Sequence, residues 1–446
     1  MEHSTTMSQG TDISESRGPL SLADAYRFFA PLILMTELNM ISKSAIHAFL
    51  ARTDTPGPTL AAFNTVFTFY YAVTSATEVM APLALAWLRG RRELTHLFTF
   101  MALVISVPCS VVALTAFTPV GDWFYGEVFG LGRLATQDAK TSAAILLLSA
   151  PILLARGLAF ALLMRARTTL LITGATFVRL VSLGISLFLW PNLLDGAAIG
   201  AASLVTCMAV ETAFAWTFAY KHFRQLPERG DDRPSFGQLW RFSWPLAMNA
   251  SAEMGVVFTI NLFLGRLPNP ELALAVFGVA HGLVGLTLAP LRNLAHTAQT
   301  LVNQAADVRV IIEFSAHLIV IGTLTCMLVY NTPLSDVVLN DLMGLKPELA
   351  AACAPALGLA NLMCVFWAFA ALFRGLLSNA RTTGALALTG GLRIGTSALV
   401  CAAAIGLGGV SGAITGIVAW IASYAVETLV TWRRLKTLGW YVPGKP

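Results

Sequence analysis

Charge is what this chain has least of. Only 12% of its 446 residues are Asp, Glu, Lys or Arg, about half the share usual in soluble domains and too few to cover a water-facing surface. Cysteine chemistry is equally thin. The six cysteines (Cys109, Cys207, Cys326, Cys353, Cys364 and Cys401) all fall in apolar stretches, and none forms a CxxC pair. They read as small buried hydrophobes, neither a disulfide framework nor metal ligands. No P-loop, HExxH or GxSxG pattern occurs, so an enzyme is not expected and no catalytic residue is assigned. Strands of alternating polarity are also missing, which excludes a membrane β-barrel.

What is abundant is hydrophobicity, at 56% of residues and a mean hydropathy of +0.69. Apolar windows lie near 28–50, 59–86, 94–116, 140–163, 169–190, 196–218, 242–265, 271–291, 310–330, 349–376, 384–407 and 410–432. Each approaches or exceeds the roughly 20 residues a helix needs to cross hydrocarbon, where every backbone group requires an internal partner. The expected fold class is all-α: a polytopic membrane protein with about twelve transmembrane helices. The net charge of +5 and pI of about 9.0 reflect basic loops and not a nucleic-acid partner. Arg89, Arg91, Arg92, Arg165, Arg167, the 221–241 segment, Arg309, Arg381, Arg433, Arg434 and Lys436 all fall on one side, whereas 117–139, 191–195 and 331–348 are net acidic. Both termini are therefore expected in the cytoplasm, in a plasma membrane or bacterial inner membrane, with lipid as the surrounding partner.

Self-similarity divides the chain. Residues 27–52 align without a gap on 241–266, matching at nine of 26 positions. The same spacing carries Ala166-Arg167-Thr168-Thr169 and Arg179 onto Ala380-Arg381-Thr382-Thr383 and Arg393, and a two-residue slip carries Glu211 onto Glu427. The expected organisation is a disordered tail at 1–22 without a cleaved signal, an N-lobe at 23–220, a polar cytoplasmic linker at 221–240, a C-lobe at 241–436 and a tail at 437–446. Because an even number of spans separates the copies, the two six-helix lobes are pseudo-symmetric about an axis along the membrane normal, an arrangement typical of transporters with a site between lobes.

Ionisable residues cost at least about 2.5–3.5 kcal/mol at the bilayer centre on insertion scales, which makes each a functional candidate. Asn39, Lys43 and His47 share one face of span 1, and Asn249, Glu253 and Asn261 form the matching face of span 7. Two readings stand: a central cavity in which Lys43 and His47 meet an anionic group while Glu253 balances the empty site, or an interhelical ion pair that fixes lobe packing. Glu37 lies roughly opposite that face, suited to a contact within its lobe or to a proton site. Glu78 and its repeat mate Arg292 carry opposite signs, as a gate between lobes or as separate surface pairs. His281 is a satisfied buried histidine or a proton-coupling group. Arg179 with Glu211 and Arg393 with Glu427 recur in both halves and read as structural intramembrane pairs. Arg156 and Arg374, each before a glycine, read as interfacial with snorkelling stems.

The RFFAPL opening of span 1, RGRRE after span 2, RFSWPLA and INLFLGR at the ends of span 7, and GGLRIG with GVSGAITG in spans 11 and 12 resemble the progressive ankylosis protein family. Its members are distant relatives of the multidrug-and-toxin extruders and the lipid-linked oligosaccharide flippases. The resemblance implies a MATE-like fold of two lobes and a secondary transporter that exports a small phosphate-bearing or carboxylate anion, such as pyrophosphate, a nucleotide or citrate. Lys43, His47 and Arg292 suit an anion, whereas Glu37, Glu78 and Glu253 repel one unless paired or protonated. A cation-coupled multidrug extruder or lipid-linked precursor flippase is the alternative within the fold, and a non-transporting membrane interaction protein the alternative outside it. No cofactor is expected beyond coupling H+ or Na+. The oligomeric state is left open, and a monomer is consistent with the pattern.

Overall fold

The computed structural model describes residues 20–439 apart from 51, 54, 130, 229–233, 265–269, 343–346 and 408–410, and a few side chains inside helices, Lys43 among them, also lie outside the description. The N-terminal half comprises α1 (Leu22–Leu50), α2 (Pro56–Thr74, Ser75–Val79 and Met80–Trp87), α3 (Arg91–Phe117), α4 (Arg133–Leu146 and Ser149–Arg165), α5 (Thr169–Leu189) and α6 (Ala197–Arg224). The C-terminal half comprises α7 (Phe236–Leu264), α8 (Pro270–Leu288, Ala289–Asn293 and Leu294–Leu301), α9 (Ala305–Tyr330), α10 (Pro347–Asn379), α11 (Gly384–Leu407) and α12 (Gly412–Thr437). Among the described residues there is no strand, and nine helices are long and apolar enough to cross a membrane. The other three are α1, with its polar face, and α2 and α8, each broken at mid-length by a 3₁₀ segment. This is an all-α polytopic architecture.

The helix bounds repeat at one spacing: α7 begins and ends 214 residues after α1, and the three segments of α8 follow those of α2 by the same 214. The 3₁₀ segments have a local cause. Pro82 and Pro290 have no N–H to offer the carbonyls of Glu78 and Leu286, so α-helical bonding fails there. In α2 the hydroxyls add competing bonds: Thr74 Oγ1 donates to the Tyr70 carbonyl at 2.7 Å and Thr77 Oγ1 to that of Thr74 at 2.9 Å. Pro151 breaks α4 in the same way at Leu147 and Leu148.

The recurring Ala-Arg-Thr-Thr sequence is a helix stop. Arg167 and Arg381 have φ of 58° and 53°, the left-handed position glycine usually fills after a helix. The following N–H of Thr168 reaches back to the Leu163 carbonyl at 3.0 Å, and that of Thr382 to Leu377 at 2.9 Å. These turns join α4 to α5 and α10 to α11 with almost no loop.

Most described contacts between the halves lie toward the end of the bundle that carries the termini. There Tyr26 and Phe29 of α1 pack on Phe314 of α9. Tyr26 Oη and His317 Nδ1 are 3.1 Å apart, and the Leu20 N–H donates to Asp307 at 3.3 Å. Gln299 of α8 donates to the Pro82 carbonyl at 2.8 Å, and Arg381 to the Ala86 carbonyl at 2.6 Å with its guanidinium 4.0 Å from the centre of the Trp87 ring. Nearer mid-helix, Ser75 and Ser251 share a hydrogen bond of 2.8 Å. The larger apolar core accordingly runs through both halves, whereas a second, around Ile46, Phe63, Tyr70, Leu183 and Leu204, belongs to the opposite end of the N-terminal half alone.

Candidate functional site

A cavity of about 360 Å³ lies between the halves, lined by the middle of α1, α2 and α7 and by the parts of α4, α8 and α10 that run toward their last turns. The 3₁₀ segments put Glu78 and Arg292 on its wall, and α7 adds Glu253. Arg156 and Arg374 complete the charged lining, with Asn39, Asn249 and Asn293 as amides. Of the charged side chains that line it, three are arginines and two are carboxylates.

Behind the wall each half repeats one network. Glu211 of α6 is 0% exposed and lies 3.0 Å from Arg156 of α4 and 3.6 Å from Arg179 of α5. Glu427 of α12, also 0% exposed, lies 2.9 Å from Arg374 of α10 and 3.1 Å from Arg393 of α11. Each carboxylate thus serves two guanidinium groups, one buried and one reaching the cavity at 24% or 23% exposure. Polar neighbours hold the buried ends. Asn39 accepts from Arg179 at 2.6 Å, Thr176 donates to Glu211 at 3.1 Å, Asn249 donates to Glu427 at 3.0 Å, and Arg393 lies 4.0 Å over the Tyr424 ring. Pairing offsets the cost of burying these charges, and in the C-terminal half it does so with little help from hydrogen bonds, since the Arg393 guanidinium makes none among the described residues.

Several candidate residues are placed differently from the two readings of the polar faces. Glu253 forms an ion pair with Arg292 of its own half, and that guanidinium also sits 5.3 Å from the Trp367 ring. Among the described residues Glu78 and Arg292 form no ion pair within 4 Å. Glu78 is exposed, and among the described residues it has no ion pair. The Lys43 side chain lies outside the described residues. His47 Nε2 is 2.6 Å from Asn64 Oδ1, with its ring edge-on to Phe63; neither His47 nor Asn261 lines the cavity. His281 packs against Phe277 and Trp420 at ring distances of 5.7 and 4.6 Å, and Glu37 is half-buried away from the cavity lining.

Arg156 and Arg374 are the residues sequence reasoning placed wrongly: they extend to a buried glutamate and not to the membrane surface, and their guanidinium groups line the cavity. The repeated Arg-Gly-Leu around each was the available signal. His296, Asn293 and Gln299 were missed because hydropathy ends span 8 at 291, whereas α8 continues to Leu301. Asn293 crosses to the other half, donating to the Leu32 carbonyl at 3.1 Å and to Thr36 at 2.8 Å. Among the described residues no group of His, Cys, Asp and Glu is arranged to hold a metal ion.

No protein-family model matches the chain, and no curated protein matches it in sequence. Solved structures do match in shape. A MATE protein in complex with MaD3S superposes with a TM-score of 0.73 at 17% identity, over 95% of this chain and 98% of that one. A MOP superfamily transporter from Pyrococcus furiosus superposes with a TM-score of 0.73 at 16% identity, over 95% and 97%. An outward-facing multidrug resistance MATE family transporter gives 0.71 at 16% identity, over 96% and 98%. The chain therefore has the MATE-like fold, two six-helix lobes facing each other across a central cavity.

Proposed function

We propose that the chain is a secondary transporter that works by alternating access and carries a small anion bearing phosphate or carboxylate groups. The observation that supports this is the charge of the inter-lobe cavity. Arg156, Arg292 and Arg374 line it against Glu78 and Glu253; Glu253 is engaged by Arg292, while Arg156 and Arg374 each share one buried glutamate with a second arginine and so keep positive charge in excess. The arginine forks match carboxylate and phosphate oxygens, and the low dielectric around the cavity strengthens the attraction. The fold does not dictate the sign of a pocket: the Pyrococcus furiosus neighbour is described as having a binding pocket of reverse polarity that suggests a different function. The resemblance to the progressive ankylosis family favours pyrophosphate, nucleotide or citrate as the class to try first, with both termini cytoplasmic beside the basic loops.

Glu78 favours a second component. A carboxylate exposed to the cavity, with no ion pair among the described residues, suits a coupling cation, H+ or Na+. The same residue would serve the cation-coupled extruder reading, for which the multidrug neighbour is a precedent.

Proteoliposomes loaded with labelled pyrophosphate, ATP or citrate test the proposal under imposed H+ and Na+ gradients. Saturable flux of at least one anion, lost in Arg374→Ala, is expected. If none of the three moves under either gradient while a cationic dye does, the extruder reading replaces it.

A further inference from the structure

The networks behind the cavity wall hold more positive charge than they neutralise. Each lobe places two guanidinium groups on one fully buried carboxylate, and in each the second arginine, Arg179 or Arg393, is itself buried at 8% or 0% side-chain exposure. The excess charge of each network therefore presents itself at the partly exposed member, Arg156 in one and Arg374 in the other, and the Glu78 carboxylate in the same cavity offsets one of the two while it is ionised. Both line the same cavity, approaching it from opposite lobes. The Nε of Arg374 has no hydrogen-bond partner among the described residues, a feature it shares with the buried Arg179 and Arg393.

We infer that Arg156 and Arg374 form a two-pronged receptor for a ligand with two separated anionic groups, one held by each lobe, and that Glu211 and Glu427 are the positioning residues that aim the prongs. This rests on the anion-transport reading and sharpens it. Once Glu78 is neutralised by the coupling cation, a ligand with one anionic group satisfies one lobe and leaves the other lobe's excess charge facing low dielectric. A ligand with two satisfies both and ties the lobes together. The prongs are not at equal depth. Measured from the shared helix stop, Arg156 lies nine residues before Arg165, the last residue of α4, whereas Arg374 lies five before Asn379, the last of α10. That is one helical turn, roughly 6 Å along the axis. The two ends of the ligand therefore sit at different depths, and the spacing between its charges is a property the receptor selects.

Binding to the purified full-length protein tests this by titration calorimetry. The probes are dicarboxylates of increasing length, malonate to adipate, against monocarboxylates of matched length, and pyrophosphate against inorganic phosphate. The expected result is a preference for the two-ended member of each pair of about ten- to a hundredfold, the worth of one added charge-assisted contact, with an optimum chain length. Arg156→Lys and Arg374→Lys keep the charge but lose the fork, so each should abolish the length optimum while single-ended anions still bind. Glu211→Gln and Glu427→Gln should raise affinity for single-ended anions and lower the ratio, whereas a merely structural defect lowers both affinities together. Equal affinity for both classes in the native protein overturns the receptor, as does an unchanged length optimum in both lysine variants; anion flux in proteoliposomes would then leave the transport reading standing. If no anion binds and none is transported, it is the transport reading that has failed.

Discussion

If the chain works by the alternating access proposed above, the contacts at the termini end must part, and Arg381 is the one whose loss should be easiest to read. Its guanidinium lies 4.0 Å from the centre of the Trp87 ring and donates at 2.6 Å to the carbonyl of Ala86, one of the last carbonyls of α2, which have no partner within the helix. A partly desolvated cation–π contact is worth about 1–2 kcal/mol and a charge-assisted hydrogen bond about 1.5–3 kcal/mol. These overlap on one group, and the freed side chain recovers hydration, so a net inter-lobe contribution of about 2 kcal/mol is a fair value. Arg381→Ala should then shift the ratio of closed to open lobes by about thirtyfold toward open. Spin labels at Thr95, on the first turns of α3, and Ala306, at the start of α9, report the separation by pulsed EPR; both positions are exposed. Trp87→Ala should produce a similar shift, and the double variant little more than either alone. An unchanged distance distribution in Arg381→Ala, or fully additive shifts in the pair, would refute this account of the contact.

Other perturbations follow from packing and charge. A Cβ on Gly375 would lie 2.3 Å from the Ala295 carbonyl oxygen, where α10 meets α8; because the obstacle is backbone, Gly375→Ala should cost at the upper end of the roughly 1–3 kcal/mol of overpacking, seen as a lower midpoint in thermal size-exclusion. Gly200 and Gly416 hold equivalent places in α6 and α12, and a Cβ there meets side chains, Leu50 at 2.9 Å and Phe277 at 2.6 Å; Gly200→Ala and Gly416→Ala should each be milder than Gly375→Ala in the same assay. Glu427→Ala removes the only carboxylate within 4 Å of Arg393, among the described residues, and should destabilise by about 3–5 kcal/mol, with Arg374→Ala milder because Arg393 still pairs Glu427. Equal midpoints for those two variants would contradict the shared-carboxylate arrangement.

The architecture was legible because hydropathy and the repeat are both long-range patterns written in residue types. The 214-residue spacing read from Arg27, Pro31 and Arg52 is the spacing at which the helix bounds recur. The associations of Arg179 with Glu211 and Arg393 with Glu427 were also legible, since a charged residue in lipid needs a partner and each half offered one on the corresponding span, at intervals of 32 and 34 residues. What resisted was anything decided by three-dimensional reach. Arg156 and Arg374 stand near span ends where a long side chain finds either a phosphate headgroup or a carboxylate, and sequence position cannot separate the two. From sequence, Glu253 balances the charge of Lys43 and His47 in an empty site or forms an interhelical ion pair; the partner the structure describes for it is Arg292 of the adjacent α8, which the polar-face pattern did not include. The extension of α8 past its proline was invisible because Arg292, Asn293, His296 and Gln299 lower the hydropathy of a segment that remains helical.

The opposite charges at the paired 3₁₀ segments carry a consequence for how such a chain could arise. A homodimer of one lobe must repeat every substitution on both sides of its axis. Two N-lobes would set Glu78 against Glu78 with Asn39 in place of Glu253, and two C-lobes would set Arg292 against Arg292. Only when the two copies are encoded separately, as they are along this single polypeptide, can one side be acidic and the other basic. The sign difference between positions 78 and 292 thus marks the two halves as non-interchangeable: two N-lobes would lack the arginine and two C-lobes the unpaired carboxylate.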